Sequence, residues 1–374
     1  MKRHKSTTVA CVQILFSAVL MLSNAVQAAG SFEAKAEQDT VKKKRSGWIG
    51  FPIIFYTPDT KWAGGASGNY YYRESKSDST ARPSTIGATL IYTQKQQIIA
   101  GFGADLYWKN DAYHPSGGIG YLKFPDTFYG IGNNTAADMA EDYTNRVITF
   151  GMSFQKQVRR GLYLGFHYEF GNGKLIEVEK DGLLAKGNIL GSKGGSASGA
   201  GISVNWDTRN NLFFPSSGGD YGFSVTFFSA ALGSDFDFTR YNLGLRKYIP
   251  VFSSHVLAFQ GVINLRTGDP PFQLLSQLGD ILRGYAANRY RDKNLLAGQV
   301  EYRMPVWWRF GLVGFAGYGD VADKLSHFEL NSFKYSFGWG IRYLFSRAEK
   351  INLRLDFGYG KSSSQFYINL TEAF

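Results

Sequence analysis

Apolar and polar residues alternate strictly along much of this chain. In "GLYLGFHYEF", Leu162, Leu164, Phe166, Tyr168 and Phe170 fall on one face, and Tyr163, Gly165, His167 and Glu169 on the other. "FKYSFGWGIRYLF" sets Phe333, Tyr335, Phe337, Trp339, Ile341, Tyr343 and Phe345 against Lys334, Ser336, Gly338, Gly340 and Arg342. "INLRLDFGY" sets Ile351, Leu353, Leu355 and Phe357 against Asn352, Arg354, Asp356 and Gly358. A period of two predicts strands. Strands of soluble sandwiches are usually about five or six residues long. Runs of ten or more are the length a tilted strand needs to cross a bilayer. The continuous aromatic face then meets lipid, and the face with charges and glycines lines a lumen.

The pattern predicts sixteen strands, at 48–57, 63–72, 84–93, 96–107, 115–124, 143–156, 160–171, 197–206, 219–230, 235–248, 252–265, 293–304, 308–319, 333–345, 349–359 and 363–374. Sixteen is even, as a single-chain bacterial barrel requires. With both ends on the periplasmic side, the long connections at 125–142, 172–196, 266–292 and 320–332 fall outside. Most inner connections, such as "QVRR", "KYIPVF" and "FSRA", are short. The fold class read from this pattern is all-β, a 16-stranded antiparallel transmembrane β-barrel.

Composition agrees, with 44 Gly, 23 Tyr and 30 Phe. Residues 1–28 read as a secretory signal peptide: Lys2, Arg3 and Lys5, then the apolar "VACVQILFSAVLML", then "VQA" before Ala29. Residues 29–47 form a short periplasmic segment, and 48–374 the barrel. The single cysteine, Cys11, lies within the signal, so the mature chain has neither a disulfide nor a cysteine metal site. Losing Lys2, Arg3 and Lys5 lowers the formal charge of +11 by three. The remaining excess suits anionic headgroups, as does the basic run Lys42 to Arg45. Location in the outer membrane of a Gram-negative bacterium follows, with outer-membrane lipids as partners and no nucleic acid.

The connection between the eleventh and twelfth strands holds a compact tip, Leu282, Arg283, Gly284 and Tyr285. On the twelfth strand, "GQVEYRMP", Glu301 shares parity with Gln299 and Arg303 and faces the lumen, while Val300, Tyr302 and Met304 face lipid. A tip folded inward would bring Arg283 to Glu301, with Gly284 permitting the sharp backbone and Tyr285 packing the wall. On spacing alone, the better reading of Arg283 is a solvated loop arginine near Asp280.

Several stretches together resemble the BamA/TamA superfamily of outer-membrane barrels, the bacterial surface antigen family. "LRGY" is similar to its [V/I/L]-R-G-[F/Y] tip in the sixth outer loop, and "GQVEYRMP" to its glutamate-bearing strand. "DTRNNLFFPSSGGDYGFSV" is similar to its Asp-x-Arg…Pro-x-x-Gly turn, and the chain ends on Phe374, as substrates of the barrel assembly machinery do. The resemblance implies an inward-folded outer loop and that machinery as the chain's own insertion factor. It departs from the family in two places. Before the first strand, "AGSFEAKAEQDTVKKKRSG" is too short for the periplasmic POTRA modules of transport members. Where the thirteenth strand of the family has an aspartate, "GFAGYGDV" has Gly317, with Asp320 on the opposite parity.

Two function classes follow. The first is a POTRA-less insertion or translocation barrel, acting with an unidentified periplasmic or membrane protein partner through the seam between first and last strands. Pro52 and Phe374 mark that seam: Pro52 lacks a ladder N–H, and "KSSSQ" opens the last strand with poor strand formers. The second is a passive pore or structural barrel plugged by its own loop. No enzyme or cofactor is expected. "GYGKSS" has Leu355 where a phosphate loop needs glycine. His114, His167, His255 and His327 lack metal-ligand spacing, and His167 beside Glu169 reads as lumen polarity.

Overall fold

In the computed structural model, residues 46–374 are described except 58–59, 73–82, 110, 253 and 348–349. The expected signal peptide and residues 29–45 of the periplasmic segment lie outside the described residues. Sixteen barrel strands follow in chain order: β1 (Ser46–Thr57), β2 (Lys61–Tyr72), β3 (Ser84–Thr93), β4 (Ile98–Asp105), β5 (Tyr113–Phe128), β6 (Glu141–Arg159), β7 (Leu162–Val178) and β8 (Gly195–Asp207). Then come β9 (Gly218–Phe228), β10 (Phe238–Val251), β11 (His255–Gly268), β12 (Asn294–Trp307), β13 (Phe310–Ala322), β14 (Lys334–Ser346), β15 (Ile351–Gly360) and β16 (Ser363–Leu370). Each pairs antiparallel with its neighbours, and β1 meets β16 to close the sheet. Closure supplies backbone partners within the wall, which lipid demands, and the seam between β1 and β16 is where the ladder is shortest.

The strands differ in length from the periodicity in a systematic way. β5, β6 and β7 reach 16, 19 and 17 residues and run beyond their predicted outer ends, because pairing continues after the lipid-facing aromatic pattern stops. β16 is shorter than expected and stops at Leu370.

Alternation sorts the side chains as lipid and lumen require. Leu164, Phe166, Ile202, Phe337 and Trp339 are exposed on the outer wall, whereas Val313, Phe315, Ser336, Arg342 and Asp356 are buried on the inner one. At the periplasmic rim Trp307, Trp308, Phe310 and Tyr343 cluster, with ring centroids 5.2–6.4 Å apart. Such amphipathic rings sit at a membrane interface.

The connection 269–293 packs against the inner wall. A two-residue ladder pairs Ser276 and Gln277 with Asp292 and Arg291. Leu278, Leu282 and Tyr285 pack on Val262, Leu295 and Val321 of the wall. Phe272 and Leu275 join Phe128, Tyr143 and Leu184. The loop is thus held by hydrophobic burial as well as by charge.

A lipid-facing charge should be costly. Trp339→Arg, near the middle of β14, is expected to lower stability in lipid vesicles by about 2–4 kcal/mol, read by denaturant unfolding. Trp339→Leu should change it far less. The folded barrel should migrate faster on gels before boiling than after.

Candidate functional site

The site lies where the tip of the long loop meets the inner faces of β12 to β16. Gly284 has φ +106, a conformation open chiefly to glycine. A Cβ there would sit 2.7 Å from the Tyr359 carbonyl carbon, so the tip backbone rides directly on β15. The wall is cut back to receive it. A Cβ on Gly358 would stand 2.7 Å from the Gly284 nitrogen, one on Gly360 would strike the Tyr285 ring, and one on Gly317 would lie 2.7 Å from Leu282 Cδ2.

Polar bonds then fix the tip. The Tyr285 hydroxyl donates to the Tyr335 carbonyl oxygen at 2.7 Å and accepts from the Lys361 N–H at 2.8 Å. The Gly284 N–H donates to the Tyr367 hydroxyl at 3.1 Å, and the Ser363 hydroxyl donates to the Gly284 carbonyl oxygen at 2.6 Å. The Ser336 hydroxyl donates to the Arg283 carbonyl oxygen.

Arg283 enters a buried ion network. Its Nη2 lies 2.7 Å from Glu301 Oε2, and its Nη1 donates to Asp356 Oδ2 at 2.7 Å. Its guanidinium carbon stands 3.5 Å from the Phe315 ring centroid, a cation–π contact. Both carboxylates are 0% exposed. Each also has a second arginine: Arg303 Nε donates to Glu301 Oε1 at 2.8 Å, and Arg342 Nη1 to Asp356 Oδ1 at 2.6 Å. Arg354 Nε lies 3.5 Å from Asp356. Burying charges is costly unless they are paired, and here every carboxylate is shared between arginines. A planar guanidinium presents donors to both carboxylates in a fixed fork, a geometry that a lysine ammonium does not hold.

The structure therefore brings Leu282, Arg283, Gly284, Tyr285 and Glu301 together. It adds residues that the sequence reading did not assign to the site: Asp356 and Arg342 above all, then Arg354 and Glu372. The parity of "INLRLDFGY" had already put Asp356 on the lumenal face. What was missing was the curvature that carries β15 within reach of a loop leaving β11. Gly317 receives Leu282, so an aspartate there would displace the tip. The second carboxylate comes from β15 instead. Asp320 is paired with Lys334 at 3.0 Å and accepts from Asn133 at 3.0 Å, away from Arg283.

The two seam residues separate. Pro52 is exposed on the outer face of β1 and stands opposite Ala66 of β2. Phe374 is not at the seam. The chain turns inward after Leu370, and Phe374 is buried against Tyr248, Val256 and Ala258 of β10 and β11. His167 hydrogen-bonds Thr226 at 2.9 Å, and Glu169 is ion-paired to Arg240, so these two serve the inner wall separately.

Removing one partner of a buried pair costs about 3–5 kcal/mol. Arg283→Ala should fall at the lower end of that range, because Arg303 and Arg342 remain on the two carboxylates. Its cycles with Glu301→Ala and with Asp356→Ala should each be non-additive by about 0.5–3 kcal/mol, while its cycle with Asp320→Ala should be additive. Unfolding midpoints give the energies, and new tryptic cleavage at Arg289 or Arg291 reports a loosened tip.

Comparison with known proteins places this geometry. No curated protein matches the chain. Among solved structures it is similar to "BamA from Haemophilus ducreyi lacking POTRA domains 1-3", with a TM-score of 0.63 and 14% identity, covering 95% of this chain and 78% of that one. It is also similar to CdiB from Acinetobacter baumannii, with a TM-score of 0.54 and 8% identity, covering 88% of this chain and 60% of that one. At such identities these likenesses speak to fold. The sequence profile of the Omp85 superfamily domain matches residues 82–374, and the chain thus belongs to the Omp85 superfamily of outer-membrane barrels.

Proposed function

We propose that this barrel inserts or translocates client polypeptide, and that the client engages the seam between β1 and β16. One observation carries the reading. Among the described residues, twelve residue pairs join β1 to β2 and eight join β15 to β16, but β1 and β16 share a single registered pair, Tyr56 with Ile368. One ring contact, Tyr56 to Phe366 at 5.6 Å, accompanies it. A sheet edge with unpaired backbone groups is a template for another strand. A wall that is firm everywhere else confines opening to this place.

The braced network supports the same division of labour. Arg283, Glu301 and Asp356 tie the loop to β12 and β15, so β12 to β15 form a rigid back while β1 remains free to part from β16. Partners in this reading are outer-membrane lipids and a periplasmic or membrane protein that delivers the client. The barrel assembly machinery would serve for the chain's own insertion. The alternative is a structural barrel or a passive pore. The buried loop in the upper lumen favours a plugged barrel over a conducting one, and single-channel recording in planar bilayers tests conduction directly.

Locking the seam separates these readings. Tyr56→Cys with Ile368→Cys should crosslink across the one registered pair. The locked protein should lose client insertion into proteoliposomes, and reduction should restore it. Full activity in the locked state would leave the structural reading standing.

A further inference from the structure

Exposed charge differs between the two ends of this barrel. The outer connections mix acids, such as Asp138, Asp181 and Glu329, with lysines, such as Lys180 and Lys324. On the periplasmic hairpins, cations recur instead. Arg159 and Arg160 lie between β6 and β7, Lys247 near the end of β10, Arg309 between β12 and β13, and Arg347 and Lys350 between β14 and β15. In sequence, the last of these turns also holds one acid, Glu349.

One sector joins such cations to the aromatic cluster of the rim. Trp307 and Trp308 are 71% and 63% exposed, and Trp308 takes φ +50, a left-handed conformation rare for a bulky side chain. The neighbouring turn repeats this at Phe252, with φ +52 and 84% exposure. Backbone strain of this kind collects at functional positions. The Arg309 guanidinium stands 5.3 Å from the Trp308 ring centroid. Its Nη1 donates to the Leu344 and Phe345 carbonyl oxygens at 3.4 Å, and its Nε is buried without a hydrogen-bond partner. Among the described residues, Arg309, Arg347 and Lys350 form no ion pair. The three line a cavity of about 470 Å³ with Trp308, Pro305 and Leu312, and none of its described lining residues is Asp or Glu. Arg303 and Arg342 also border it, but Glu301 and Glu372 match their charge.

We propose that this sector of the rim binds an anionic phospholipid of the periplasmic leaflet. Arg309, Arg347 and Lys350 take the phosphodiester, and Trp308 with its neighbours meets the glycerol and the chains. Cations beside amphipathic rings match a molecule that is charged at one end and apolar at the other. Recurrence of cations round the rim fits a membrane, which touches every sector, better than a protein that docks on one. The site concerns lipid alone, so it stands apart from client insertion.

Native mass spectrometry tests it on the full-length protein, released from micelles with equal phosphatidylglycerol and phosphatidylcholine. Heat-modifiable migration confirms that each variant is folded. The parent should retain phosphatidylglycerol in preference. Near a membrane each Lys or Arg is worth about fivefold in binding, and screening trims exposed ones. Arg347→Gln with Lys350→Gln, at exposed positions, should therefore cut the preference about tenfold. Lys361→Gln, the same loss of charge at the outer turn after β15, should leave it unchanged. Trp308→Asn, which suits the left-handed turn, should lower phosphatidylglycerol retention with every cation in place. A parent without preference would overturn the site, and its capture of polyglutamate would assign the cations to an acidic protein instead. A preference that survives the double neutralisation, or falls as far with Lys361→Gln, would also overturn it. Retention untouched by Trp308→Asn yet displaced by inorganic phosphate would make this a free-anion site and end the lipid assignment.

Discussion

One guanidinium between two carboxylates organises this barrel. Arg283 arrives from an outer loop, passes into the lumen and binds Glu301 of β12 and Asp356 of β15, both carboxylates being fully buried. The arrangement is demanding, because each buried charge must be matched. The surrounding wall meets the demand with Arg303, Arg342 and Arg354, so the network extends over β12, β14 and β15. The glycines at 317, 358 and 360 follow from the same constraint, since a larger side chain at any of them would lift the tip and strand its charges.

This network makes the barrel mechanically uneven. From β12 to β15 the strands are joined by ladders, by the loop that packs on them and by shared ion pairs. At the seam, β1 and β16 keep one registered pair among the described residues. The same arginines that hold the tip also hold the tail: Arg303 bonds both Glu301 and the Phe374 carbonyl oxygen, and Arg342 bonds both Asp356 and Glu372. Loop tip and chain end are therefore coupled through two side chains.

The alternation of side chains by itself determined the all-β class, the even strand number, the sorting of lipid and lumen faces and the lumenal parity of Glu301. These are local properties, because a strand's period of two belongs to its own backbone. The tetrapeptide Leu282 to Tyr285 was likewise visible as a compact arginine-glycine-aromatic tip. The parity of Glu301 offered one partner, and tertiary structure alone supplied the other. Asp356 lies 73 residues from Arg283 along the chain and becomes its neighbour only because the closed wall curves β15 beneath the loop. Phe374 read as the end of the last strand, at the seam. Nothing local to "NLTEAF" says that Glu372 finds Arg342 and Asn352 inside the barrel. Periodicity reports which face a residue takes on its own strand; what waits on the other side of a closed sheet depends on curvature and register summed over many strands.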